Sequence, residues 1–323
     1  MKKQENKHEF YKRFSFPLNS EEIQKDISYY KIWFYKHKHL IKEMYFTLND
    51  FGHKYMTDMN GDEIVYDYRD FLKYIKSIGI KTTLTINNIF EINKIDNNIL
   101  SIIQENKELI DIIIAPNEKW VSLLKNIKKF YIKNTVVHIP DETFIQKYHN
   151  IYDEIYIHDE IMHNHDKFLE LKRKYQIKLG TVVNFIDCAT YCVNKQKHYE
   201  LVHKKQYDSN LFCPTKQFKS IEELLLKRNS IPGFYYSYKQ YLDVIDTYKL
   251  QGRVNSVGQE YNKIMKLIEN INKKSKILLP EYKILYSSFK SDNVFEWQKT
   301  VLNCGGICPE CDFCNNLLLK KDN

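Results

Sequence analysis

Seven cysteines carry the clearest chemistry in this chain, and they fall into two groups. Cys188 and Cys192 stand in a C-x3-C arrangement with Cys213 further on; Cys304, Cys308, Cys311 and Cys314 form a C-x3-C-x2-C-x2-C tail. Thiolates favour zinc or iron–sulfur iron. Short gaps such as those of the tail can wrap one cluster, whereas structural zinc sites usually split into two knuckles joined by a longer linker. The spacing therefore leans towards a 4Fe–4S cluster at the tail, with zinc as the alternative. For Cys188, Cys192 and Cys213 the plain alternative is burial as small apolar groups. Seven thiols allow two arrangements: two separate clusters, or a barrel cluster completed by a tail thiol such as Cys304.

The elements that must position these residues alternate regularly. Apolar β-rich stretches are expected at 14–18, 44–48, 81–86, 111–115, 134–139, 154–157, 178–183 and 244–250. Helical stretches lie between most of them, including 67–78, 92–109, 118–130, 165–175 and 257–271. Eight such strands in roughly 250 residues predict an α/β fold, a (β/α)8 TIM-like barrel. The barrel is assigned residues 14–275, with a cysteine-bearing insertion at about 188–230 that is too long for a plain loop. Residues 276–323 form a C-terminal cysteine-rich extension.

Active sites of such barrels gather at the carboxyl ends of the strands. The residues expected there include Asn49, Asp50, Asn87, Asn88, Asn117, Glu118, His138, His158, Asp159, Asn184, Lys249 and Arg253. Asn49, Asn88, His158, Asn184, Lys249 and Arg253 are the candidate catalytic or substrate-holding set. They suit a small polar or anionic ligand, although Asn and Asp at such places also serve as turn residues and helix caps.

Hydrophobic residues make up 43% of the 323, enough for a large core, and 9 Gly with 7 Pro exclude fibrous and low-complexity classes. The net charge of +8 arises from dispersed lysines and permits, without requiring, nucleic-acid contact. No apolar run is long enough to span a membrane, and the lysine-bearing N-terminus lacks the apolar core of a secretory signal. The expectation is a cytoplasmic protein whose clustered cysteines bind metal rather than pair as disulfides.

Two segments carry a family resemblance. TVVNFIDCATYCVNKQKHYE, residues 181–200, and VIDTYKLQGR, residues 244–253, resemble the strand–Asn–Cys loop and the late Lys–Gly-Arg segment of peptidase family U-32, the collagenase-like proteins. The resemblance covers roughly residues 14–272. It implies a (β/α)8 barrel with an oxygen-sensitive 4Fe–4S cluster, with Cys188, Cys192 and Cys213 among the ligands and Lys249 and Arg253 in the family segment. It also implies chemistry related to oxygen-independent hydroxylation, with a small molecule, a peptide or an RNA base as substrate. The chain departs from the family in its looser cysteine spacing, which leaves the fourth ligand unidentified, and in its four-cysteine tail. Cys304, Cys308 and Cys311 also match the C-x3-C-x2-C of radical S-adenosylmethionine enzymes, but there the motif follows an early barrel strand. Two other functions compete with a redox enzyme: a non-catalytic iron–sulfur partner that passes electrons to another protein, and a hydrolase of the older label. The hydrolase ranks last because neither an H-E-x-x-H nor a triad is legible.

Overall fold

Eight strands pair in chain order, each parallel to the next, and the first returns to the eighth to close a barrel. The computed structural model describes residues 8–51, 67–86, 97–136, 140–158, 163–183, 197, 201, 218–227, 230–251, 259–306 and 308–321. The strands are β1 (Phe14–Pro17), β2 (Ile41–Phe46), β3 (Lys81–Thr85), β4 (Ile112–Ala115), β5 (Tyr131–Asn134), β6 (Glu154–Tyr156), β7 (Lys178–Val182) and β8 (Thr247–Lys249). Around them run α1 (Ser20–Lys25), α2 (Ile27–His37), α3 (Arg69–Ser77), α4 (Asn97–Glu105), α5 (Glu118–Ile127), α6 (Glu142–Tyr148) and α7 (His165–Tyr175). Then come α8 (Ile221–Lys227), α9 (Tyr235–Gln240), α10 (Gln259–Asn272), α11 (Lys283–Ser288), α12 (Ser291–Thr300) and α13 (Phe313–Leu318). The expected barrel is the observed one.

Side chains alternate across each strand, so every strand has one face towards the helices and one towards the barrel axis. Phe14, Phe16, Met44, Phe46, Leu84, Ile113, Ile132, Ile155, Leu179 and Tyr248 join the helices in one continuous apolar core. That core runs on through Leu278, Tyr282 and Trp297 to Leu317, so the C-terminal extension packs into the same body.

The opposite faces are unusually polar. Ser15, Glu43, Thr83, Thr85, Lys133, Glu154 and Thr247 are buried beside Ile112, Ile114, Tyr156 and Val182. The Lys133 ammonium lies 2.6 Å from Glu43 and 3.4 Å from Glu154, all three side chains being fully buried. Lys42 adds a second cation 2.8 Å from Glu154 and a hydrogen bond to Thr247. Tyr156 donates to Glu43 at 3.1 Å, and Tyr131 donates to Glu154 at 3.2 Å. Burial alone would raise the Glu154 pKa, but Lys133 and Lys42 outweigh it and hold this carboxyl well below its ordinary range. Within this cluster two lysines face two glutamates.

This arrangement explains where β5 departs from expectation. The apolar run 134–139 suggested the strand, yet β5 is Tyr131–Asn134, because Lys133 faces inward to its acids; 137–139 lie outside the described residues. The helix expected over 92–109 is α4 from Asn97 to Glu105 plus a short 3-10 turn, with 92–96 outside the described residues. The strand expected over 244–250 is only Thr247–Lys249.

Gly180 on β7 is where the interior leaves no room. A Cβ there would fall 2.6 Å from Tyr156 Cε1 and 3.0 Å from Glu154 Oε1. Gly180→Ala should therefore cost about 1–3 kcal/mol by overpacking. A thermal melt checks this; a midpoint matching the wild type would show that Tyr156 can yield, contrary to the expectation.

Candidate functional site

Parallel pairing puts every strand end on one rim, and three of the six candidate catalytic residues, Asn49, His158 and Lys249, are described there. Lys249 ends β8, opposite Val182 of β7 and Ser15 of β1. Its ammonium sits 4.4 Å from the ring centroid of Tyr45 and 5.5 Å from that of Tyr156. Tyr45 is fixed in turn by donating to the Leu250 carbonyl at 2.6 Å. A lysine only 8% exposed, resting over two aromatic faces, is a localised positive charge at the floor of the barrel mouth.

His158 follows β6 and is fully buried; its backbone N–H donates to Pro140 at 3.1 Å, tying together the segments after β5 and β6. Asn49 is half-buried in the short turn Leu48–Asp50 after β2. Its neighbour Asp50 closes a capping box with Thr47 and takes the Ser20 hydroxyl. Tyr68 then donates to the Ser20 carbonyl at 2.6 Å, so Asp50 serves as a local staple. Asn117 likewise caps α5 through the Trp120 N–H, with Glu118 exposed in the first turn. Asn87, Asn88, His138, Asp159, Asn184 and Arg253 lie outside the described residues, as do Cys188, Cys192 and Cys213.

The tail is described, apart from residue 307 and the side chain of 309, and it is anchored to the barrel at several points. Asn303 and Asp166 exchange two hydrogen bonds of 3.0 Å at the first turn of α7. The Gly305 N–H donates to the His163 carbonyl at 2.8 Å. Gly305 and Gly306 follow with φ of 72° and 67°, a left-handed pair that reverses the chain between Cys304 and Cys308. At the far end the Cys314 thiol points to the Leu226 carbonyl at 3.6 Å, and Lys321 pairs with Glu222 at 2.6 Å, so the tail also covers α8.

All four tail cysteines are free thiols and half-buried, and Cys308 and Cys314 lie close enough to feel the charge of the others. Burial raises the Cys304 pKa, but the His163 ring and the Gly306 N–H outweigh it and leave that thiol below its ordinary value. Burial lifts Cys308, and pushes Cys314 up to about 12. As placed, no three His, Cys, Asp or Glu side chains among the described residues share one coordination sphere. The donor chemistry nonetheless fits a thiolate-bound metal: four sulfurs on one reversing segment, with an amide N–H directed at the first.

Glu43, Tyr45, Lys133, Glu154, Tyr156 and His163 were not singled out from sequence. One signal was legible: Glu43-Met44-Tyr45 and Glu154-Ile155-Tyr156 repeat the same E-x-Y pattern on β2 and β6, which directs acid and phenol to one face. Among the described residues no helix is long and apolar enough to cross a membrane.

No family model and no curated protein matches the chain. Solved structures do. A U32 peptidase is 10% identical with a TM-score of 0.48, the match covering 75% of this chain and 94% of that one. The N-terminal domain of a candidate aldolase from Bacteroides vulgatus is 10% identical with a TM-score of 0.41, covering 95% and 99%. The 3-dehydroquinate dehydratase from Aquifex aeolicus VF5 is 15% identical with a TM-score of 0.34, covering 81% and 98%.

Proposed function

We propose that this chain is an iron–sulfur barrel enzyme that carries out redox modification, of the oxygen-independent hydroxylation type, on a small molecule, peptide or RNA base. The supporting observation is the four-thiol tail itself, whose start is tied by Asn303 to the first turn of α7, the end of that helix that lies on the same side of a (β/α)8 barrel as the mouth. Cys304, Cys308, Cys311 and Cys314 would hold a 4Fe–4S cluster, with Cys188, Cys192 and Cys213 as ligands of a second centre or sharing one with the tail. Such a cluster supplies one-electron chemistry. The chain's own residues do the rest. Lys249, fixed over Tyr45 and Tyr156, would hold an anionic group of the substrate, and Asn49, His158, Asn88, Asn184 and Arg253 are proposed as the further substrate-holding residues from their places after the strands in the sequence.

The half-exposed tail thiols favour a second reading, an iron–sulfur partner that exchanges electrons with another protein. Either reading requires iron. Anaerobic purification should give a brown protein with about four or eight irons and matching sulfide. Cys311→Ser should remove tail iron, and Cys192→Ser iron held by the insertion. A colourless chain carrying zinc alone would overturn both readings and return the tail to structural zinc.

A further inference from the structure

The end of the barrel opposite the mouth is built from the turns that lead into the eight strands, and all of these turns are described. Together with the stretch 273–278 after α10, they hold eleven lysine or arginine residues against six acids. That surplus of five is most of the chain's formal +8, so the excess charge is concentrated at one end. Lys274 lies 3.6 Å from Glu9, which places 273–278 beside the start of β1.

Most acids of this face are already engaged. Those ahead of β4, β6 and β8 each accept a backbone N–H of the preceding strand: Asp111 from Thr82 at 3.0 Å, Asp153 from Ile132 at 2.7 Å and Asp246 from Leu179 at 3.0 Å. Asp111 and Asp246 also pair with Lys76 and Lys172 of the neighbouring helices. The cations turn outward instead: Lys81, Lys129, Lys178, Lys273, Lys274 and Lys276 are all exposed.

Aromatic rings lie among these charges. The Lys178 ammonium is 5.3 Å from the ring centroid of Tyr131, that of Lys174 is 5.0 Å from Tyr175, and Tyr11 is 43% exposed. Among the described residues Tyr11 is the one large apolar side chain exposed on this face; Ile27, Ile32, Ile221 and Leu319 lie elsewhere. Docking on a lipid surface needs apolar side chains to insert, and a protein interface needs a dry apolar centre. Cations interleaved with tyrosine rings on an otherwise polar face suit a phosphate backbone whose bases are free to stack.

We propose that this basic face docks single-stranded nucleic acid, with the backbone held by the lysines and bases stacked on the exposed rings. The docking is independent of the iron–sulfur reading. It is a tether and not the substrate site, because the candidate site residues stand at the opposite ends of the strands.

A fluorescein-labelled oligodeoxythymidine of about twenty nucleotides, longer than most single-strand sites, is the probe. The full-length chain is titrated into it at several salt concentrations, with anisotropy as the readout. Lys81→Gln/Lys129→Gln/Lys178→Gln is compared with Lys119→Gln/Lys167→Gln/Lys320→Gln, exposed lysines in the first turns of α5 and α7 and in the tail. Circular dichroism confirms the fold of each. The wild type should bind, and the first variant should bind about 10-fold more weakly at low salt, its slope of log K against log salt smaller by about 2. The second variant should stay within about 3-fold of the wild type. Tyr11→Ala should weaken binding about 5-fold or more with the slope unchanged. A wild-type chain that ignores the oligonucleotide at low salt, or equal losses in the two triple variants, overturns the proposal. So does a duplex of the same length bound as tightly, or lysine-dependent binding to phosphatidylserine vesicles in place of the oligonucleotide. Iron measured on the same samples keeps the two readings apart: full iron with no oligonucleotide binding removes the docking face alone.

Discussion

Lys133→Met should destabilise the barrel by about 3–5 kcal/mol, because it strips the principal cation from two carboxylates with no access to water. Glu43 and Glu154 are both fully buried, and Lys42 alone would have to serve them from the edge of the interior. Removing the facing charge should reverse much of the loss. In Lys133→Met/Glu43→Gln the Tyr156 hydroxyl keeps an acceptor and one lysine is left with one glutamate. Equilibrium denaturation of the two variants measures the difference. If the double variant is no more stable than the single one, the buried acids are not what makes Lys133 necessary.

The second large effect appears on acidification and centres on His37. This ring is 1% exposed, packed 4.6 Å from Trp33, and neither of its nitrogens finds a hydrogen-bond partner among the described residues. Burial, helped by nearby Lys36, drops its pKa from 6.5 to about 4, with Glu269 opposing. A pKa depressed in the folded state means that the unfolded chain takes the proton first. The stability His37 contributes is thus complete above pH 6.5 and is lost as the pH falls from 6.5 to about 4. The full loss is roughly 3 kcal/mol at 1.36 kcal/mol per pKa unit. His165 works the other way: burial lowers its pKa, but Asp166 and Asp243 outweigh that and raise it. Its contribution is complete below the ordinary histidine value and fades as the pH rises through the folded one, so it acts on the alkaline side of the window in which His37 acts. In His37→Leu the acid limb between pH 6.5 and 4.5 should flatten. Denaturation midpoints that fall in parallel for wild type and variant would show that other groups govern that limb.

Strands β1, β3, β4 and β7 were legible because each carries an outward apolar face bounded by turn residues, and eight alternations are enough to name the barrel. The strand at 131–134 was not, because an inward lysine breaks the apolar pattern by which a buried strand is recognised. Its partners sit on strands far along the chain, so local sequence could not supply the compensating charge. The same holds at the site. Lys249 could be placed on the rim by counting strands, but its setting over Tyr45 and Tyr156 depends on two other strands. The tail cysteines declared themselves by spacing; His163 and Asp166, which seat the tail from more than a hundred positions upstream, had no spacing to declare them.

The closing seam of the barrel, where Phe14 and Ser15 of β1 meet Tyr248 and Lys249 of β8, joins chain segments far apart in sequence. Arg13 also bridges it, donating to the Ile245 carbonyl 232 positions away at 2.8 Å. Bringing such ends together costs on the order of 5 kcal/mol in chain entropy, far more than two residue pairs return by themselves. The seam therefore follows the rest of the sheet instead of seeding it, and during synthesis β1 and β7 remain open edges until β8 has left the ribosome. Uncovered strand edges are templates for pairing with other chains. The long insertion between β7 and β8 lengthens that interval, making it the stage at which a nascent molecule is most exposed to misassembly.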